Sequence, residues 1–221
     1  MLDTKPLSAQ IEAQLKREIM SGDLEPGQRL TIEDIAERLH VSRMPVRDAV
    51  RRLDGLGFLK VAPRRGVYVE EFDQTRFKNT MEIRIALESL AVELATTRIP
   101  LEAIEDAQDS YRRGGDYYAR TGDLSQLAEC DNLIHDLIIN CSENPLLIEM
   151  MRQLQDLINW AHQIVAKYRP GAQVDALPEH MEILDALRRR DVAATKSAVR
   201  DHLLNTLERT LLAWDHKTGA A

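Results

Sequence analysis

Cysteine is nearly absent from this chain of 221 residues: Cys130 and Cys141 are the only two. They form neither a CxxC nor a framework of bridges, so a disulfide-stapled scaffold is excluded and a reducing compartment is expected. With 10 glycines and 8 prolines, the chain is neither collagen-like nor of low complexity. Long apolar runs are missing too. None approaches the roughly 18 residues that a membrane-crossing helix needs, and Met1-Leu2-Asp3-Thr4-Lys5-Pro6 has no hydrophobic stretch of the signal-peptide kind. What is present, 44% hydrophobic and 29% charged residues, is the composition of a folded protein. One or two domains, soluble and cytoplasmic, are the expectation at this length.

Positive charge is scarce only on average. The net charge is -7, yet residues 1–70 hold 12 Lys/Arg against 11 Asp/Glu, a net +1, leaving -8 for the remainder. Residues 38–65 concentrate eight basic residues against Asp48 and Asp54. Local field rather than net charge governs contact with a polyanion, because salt screens charges beyond about 8–10 Å. A solvated helix surface balanced by its neighbours gives the same charge count, so pattern must decide.

Leu7, Ile11, Leu15 and Ile19 recur every four residues and predict an amphipathic helix, ended by Ser21-Gly22-Asp23. Thr31 reads as the cap of a short second helix carrying Ile32, Ile35, Ala36 and Leu39. Ser42 reads as the cap of a third, with Val46, Ala49, Val50 and Leu53 inside and Pro45 tolerated in the first turn. Leu59-Lys60-Val61 and Val67-Tyr68-Val69 then alternate like two strands of a hairpin. This order predicts a winged helix-turn-helix. Arg43, Arg47 and Arg51 step by four along the third helix, opposite its apolar face, where a helix lying in a major groove would present them to guanine. The helix start at Ser42 offers free N–H groups to a phosphate, and Arg64 and Arg65 at the hairpin tip reach the neighbouring backbone or minor groove.

The run Leu39-His40-Val41-Ser42-Arg43-Met44-Pro45-Val46-Arg47-Asp48-Ala49-Val50-Arg51-Arg52-Leu53, with Gly57-Phe58 and Arg65-Gly66-Val67-Tyr68-Val69, resembles the DNA-binding domain of GntR-family bacterial transcription regulators. The resemblance covers about residues 8–70. It implies that Arg43 and Arg47 touch the operator and that Gly66 sits at the wing tip. Met44 departs from the small polar residue common at its position.

Beyond Glu70-Glu71-Phe72-Asp73 nothing reads as a strand. Helices are predicted at roughly 74–98, 101–119, 124–141, 145–168, 176–190 and 191–216, with Asp123 and Asp191 as caps. The fold expected is therefore mainly α: a winged helix-turn-helix over residues 1–72 and a six-helix antiparallel bundle over residues 73–221. Polar residues interrupt the bundle's apolar rows. Asp131 and His135 fall in the row Leu124, Ala128, Asp131, His135, Ile138; His180 falls between Leu177 and Ile183/Leu184; His202 lies beside Val199 and Thr206. Burying such groups unpaired costs roughly 2–7 kcal/mol for a polar group and more for a charge. Two readings follow: a divalent-metal site of one carboxylate and three imidazoles, suited to Zn, Ni, Mn or Fe, or a core His–Asp pair with two unrelated histidines.

The second half resembles the all-helical FCD effector domain of the FadR subfamily. Carrying the likeness are Glu82-Ile83-Arg84 with Ala86-Leu87-Glu88, Asp131 with His135, Asn144-Pro145, Glu179-His180 with Ile183-Leu184-Leu187, and Asp191 with His202. Six helices are similar to the VanR-type branch. The resemblance implies that Asp131, His135, His180 and His202 bind a metal beside a pocket for a small organic acid, and that the protein is a homodimer on a near-palindromic operator. Arg84 offers either a bidentate partner for the acid or an exposed pair with Glu88. Repression relieved by ligand is the expected sense. Two rivals remain. His135-Asp136 superficially resembles the dyad of HD-type phosphohydrolases, but the further upstream histidine that chemistry needs is missing from this half, and no nucleophile elbow or phosphate loop is found. An architectural protein with a closed, structural metal is the other.

Overall fold

In a computed structural model of the chain, residues 6–130, 132–166 and 172–218 are described. They form two compact units, Met1–Asp73 and Gln74–Ala221.

The first unit runs α1 (Leu7–Ser21), β1 (Arg29–Leu30), α2 (Ile32–Arg38), α3 (Arg43–Gly55), β2 (Leu59–Ala62) and β3 (Gly66–Val69). The stripe predicted on α1 is buried at Ile11, Leu15 and Ile19, while Leu7 at the helix start is exposed. It packs on α3, whose Val46, Ala49, Val50 and Leu53 are all buried. Phe58, Leu59, Val67 and Val69 close this core from the sheet side. Thr31 caps α2 as expected, its Oγ1 accepting from Asp34 N at 3.0 Å. Ser42 occupies the cap position of α3 with extended backbone, but its side chain makes no capping hydrogen bond. The sheet has a third strand that periodicity did not reveal: β1, only two residues long, pairs antiparallel with β3 and gives the order β1-β3-β2. Two residues are too few to show alternation.

The second unit holds seven helices among the described residues: α4 (Gln74–Ala95), α5 (Leu101–Thr121), α6 (Ser125–Cys130), α7 (Leu133–Cys141), α8 (Pro145–Ala166), α9 (Ala172–Arg188) and α10 (Val192–Thr218). The single helix predicted over 124–141 is thus two, α6 and α7, and the count of six does not hold. In α6 the buried positions are Leu127 and Cys130, with Ala128 exposed, whereas in α7 they are Ile134, His135, Ile138 and Ile139. The stripe drawn across both was therefore wrong at Ala128. Asp123 and Asp191 act as helix caps: Asp123 accepts from Ser125 N at 2.9 Å and Asp191 from Ala194 N at 2.9 Å. Helix α9 begins at Ala172 rather than near 176, which leaves Pro178 inside it and removes one intrahelical donor.

Helix α10 packs on α9 and α4, α4 on α7 and α8, and α5 on α6 and α9. Gly115 sits where α5 meets α9: a Cβ there would lie 2.8 Å from Leu177 Cδ2, so the leucine end would have to shift. Phe77, Met81, Ile104, Ile138, Ile183, Leu187 and Leu203 lie in the core these helices enclose. Helices α4, α7, α9 and α10 each send a polar or charged side chain into it.

Candidate functional site

Those side chains meet. His135 on α7, His180 on α9 and His202 on α10 are buried, exposed by 2%, 2% and 5%. One ring nitrogen from each lies within 4.8 Å of the other two. His202, placed in the sequence beside Val199 and Thr206, is as firmly inside as the others. Asp131, the fourth residue of the expected set, lies outside the described residues.

Carboxylates orient two of the rings. Glu88 on α4 is fully buried, and its Oε2 accepts from His135 Nδ1 at 2.7 Å while its Oε1 accepts from Arg84 Nε at 2.5 Å. Burial alone would raise the Glu88 pKa, but Arg84 and His135 outweigh it and hold the carboxyl well below its ordinary range. Glu179 on α9 does the same for the third ring. It accepts from His202 Nδ1 at 2.8 Å, from Asn205 at 2.9 Å, and from both Arg209 terminal nitrogens at 2.6 and 2.8 Å. Against partial burial, those partners likewise keep it ionised.

An ionised carboxylate only accepts, so both Nδ1 atoms carry hydrogen. A ring that holds no second proton then has a lone pair on Nε2, and His135 Nε2 faces His202 Nε2 at 3.2 Å. Two lone pairs so placed repel unless a proton or cation lies between them. His180 brings a third ring nitrogen: its Nε2 is buried with no hydrogen-bond partner among the described residues. Burial, reinforced by the neighbouring rings, depresses the His180 pKa to about 2. Burial also lowers His202 to about 4, against the pull of Glu179. Neutral imidazoles backed by carboxylates on Nδ1 are the form in which histidine binds transition metals. Two nitrogens at ~2.0–2.1 Å from one ion would stand roughly 2.9–3.4 Å apart, depending on the coordination angle. The cluster fits a divalent metal. Of the alternative, a core His–Asp pair with two unrelated histidines, the Asp131 half lies outside the described residues, and the two other histidines are not unrelated, since both stand in one cluster with His135.

Arg84 is paired with Glu88, but the pair is buried, not on the surface. It engages Glu88 through Nε, and its two terminal amino groups make no other hydrogen bond among the described residues. Tyr111 packs against His180, ring centroids 4.8 Å apart. His162 is half-buried. Asp136 is exposed while its neighbour His135 is buried, so the two do not form a dyad.

Sequence reasoning did not find Glu88, Glu179 and Arg209 as a supporting shell. The spacing of Arg84 and Glu88 was a signal. Glu179 adjoins His180 in sequence yet bonds to His202, which only the packing of α9 on α10 reveals.

On the first unit, the arginine row lies where helical phase put it. Ser42, Arg43, Arg47 and Arg51 are all exposed along α3. Arg43 pairs with Glu33 at 3.0 Å in water, a contact readily exchanged. Arg64 and Arg65 are exposed in the turn between β2 and β3, with Arg64 at φ 62°. Gly66 opens β3 at φ 118°, a backbone that favours glycine, and a Cβ there would come 3.0 Å from Arg29 Nε.

Residues 7–69 match the bacterial regulatory proteins of the gntR family and residues 79–205 match the FCD domain. The chain belongs to the GntR-family regulators with an FCD domain. The HTH-type transcriptional regulator McbR of Escherichia coli (strain K12) is 29% identical, covering 84% of each chain. The HTH-type transcriptional repressor RspR of the same strain is 26% identical over 90% of this chain and 87% of its own length. The solved structure of E. coli McbR/YncC matches with a TM-score of 0.74 at 25% identity, covering 96% of this chain and all of the other. This GntR/FCD regulator thus belongs to a family of transcription regulators, not enzymes. No helix among its described residues is long and apolar enough to cross a membrane.

Proposed function

We propose that this FCD regulator is a homodimeric repressor, cytoplasmic like its DNA target, that senses a small organic acid at a divalent metal held by Asp131, His135, His180 and His202. The observation that carries the reading is the buried His180 Nε2, without a hydrogen-bond partner among the described residues, beside the facing nitrogens of His135 and His202. Imidazole and carboxylate ligands suit Zn, Ni, Mn or Fe. When bound, such an ion supplies Lewis-acid positions for the oxygens of a carboxylate or hydroxy acid. Arg84 offers its terminal amino groups to the same acid, its position fixed by Glu88.

At the other end Arg43, Arg47 and Arg51 would read base edges in the major groove, with the α3 N-terminus at Ser42 on a phosphate and Arg64, Arg65 and Gly66 on the adjoining backbone or minor groove. Two-fold symmetry would pair two such units on a near-palindrome. We take residues 1–72 as the DNA-binding part and 73–221 as the effector and dimerisation part. Acid binding would act on operator affinity through the chain at residues 70–73, within the ~1–3 kcal/mol usual for coupled sites. Kinship with RspR, named a repressor, supports that sense. Within the family we favour the FadR subfamily on sequence resemblance; the seven helices give the VanR-type branch no support.

Thermal unfolding of the full chain with a panel of organic acids, with and without chelator, tests the proposal. An acid that raises the midpoint only when metal is present supports a sensor. Metal that stabilises while no acid does would leave an architectural protein with a structural ion.

A further inference from the structure

We propose that Met44 is a specificity-determining residue of the DNA-binding face, reading the 5-methyl group of a thymine. The inference rests on the DNA-binding reading above and extends it to one base.

Met44 is the second residue of α3 and is 68% exposed. At 100° per residue it lies about 60° from Arg47 and about 100° from Arg43 around the helix. All three share the outward arc, away from the buried Val46, Ala49, Val50 and Leu53. The residues near the N-terminus of a recognition helix are the ones that contact base edges. Chemistry narrows what Met44 can do there. A thioether has no donor, so it cannot bind a phosphate oxygen or the guanine and adenine acceptors that arginine or asparagine would take. The major-groove edge offers one apolar group, the thymine methyl. Methionine's unbranched, polarizable side chain adapts to such a surface. The arginines then supply attraction and guanine contacts, while Met44 adds discrimination for thymine at a neighbouring position.

The full-length protein is first used to select duplexes from a random pool, and each thymine of the selected half-site is then replaced by deoxyuridine, which lacks only the methyl. Wild-type protein should lose about fourfold in affinity at one thymine, the effect of one methyl-sized group removed from contact. Met44→Gln should show no difference between the two bases at that position, and Met44→Leu, which keeps an apolar end, should restore most of it. Because Met44 is exposed, both variants should keep the wild-type unfolding midpoint. The inference is overturned by a wild type indifferent to every deoxyuridine, or by a methyl preference that survives in Met44→Gln. Failure to select any duplex would instead bring down the DNA-binding reading, and this inference with it.

Discussion

In the amino-terminal unit the side chains assigned to function stand in water, whereas in the carboxyl-terminal unit they are among its most buried polar groups. Arg47 and Arg51 lie on the exposed face of α3, and Arg43 is held only by the surface carboxylate of Glu33. His135, His180 and His202 are enclosed by four helices and steadied by Glu88 and Glu179. A site of the first kind gathers a large polyanion by charge and geometry, and it pays little for being empty. The second kind has already removed its imidazoles from water and kept those of His180 and His202 neutral, so it is prepared for a cation and penalised by protons. Their responses to mutation, salt and pH should accordingly separate.

The largest separation is expected from single substitutions. His180→Ala should lower metal affinity by more than about a hundredfold, since it removes a proposed ligand, and leave the salt slope of operator binding unchanged. Arg47→Ala should weaken operator binding roughly five- to hundredfold with metal content unchanged, as measured by anisotropy and elemental analysis. An effect of either variant on the other's readout of equal size would break the division. Glu88→Gln should cost about ten- to hundredfold in metal affinity, because the Nδ1 acceptor that orients His135 is weakened. Unaltered affinity would mean the carboxylate serves only packing.

Acid sharpens the contrast further. His180 and His202 are neutral when folded, with pKa values near 2 and 4, against an ordinary 6.5. The unfolded chain therefore binds more protons below pH 6.5. The stability of the metal-stripped protein should be complete above that value and fall toward pH 4, by about 1.4 kcal/mol per pH unit for each histidine. Glu88 and Glu179, both held below the usual carboxylate range, extend the loss below pH 4.5. Denaturant titration across this range measures it; a flat profile between pH 6.5 and 5 would contradict the buried, neutral state. The smallest effect is a matched pair of caps. Thr31→Ala should cost about 1 kcal/mol, whereas Ser42→Ala, whose hydroxyl makes no cap bond, should cost clearly less.

The same contrast explains what was legible in the sequence. An exposed row needs only one helix, and the phase of Val46, Val50 and Leu53 set Arg43, Arg47 and Arg51 on the opposite side without further information. The histidines announced themselves because each interrupted an apolar row. Their convergence, however, depends on α7, α9 and α10 packing together with α4, and no local period contains that. The α6–α7 break was hidden because its two apolar stripes nearly join across Asp131. Strand β1 is too short to carry a pattern, and it exists because β3 has an edge for it. Glu88 looked like half of a surface ion pair because an i,i+4 spacing reads the same in water and in a core.

Titration of Zn or Ni into the metal-stripped full-length protein at neutral pH tests the central claim most directly. One equivalent bound per chain, with affinity more than about a hundredfold weaker in His180→Ala, is the predicted result. Binding of the same stoichiometry and affinity in His180→Ala, or no binding to the wild type, would contradict it.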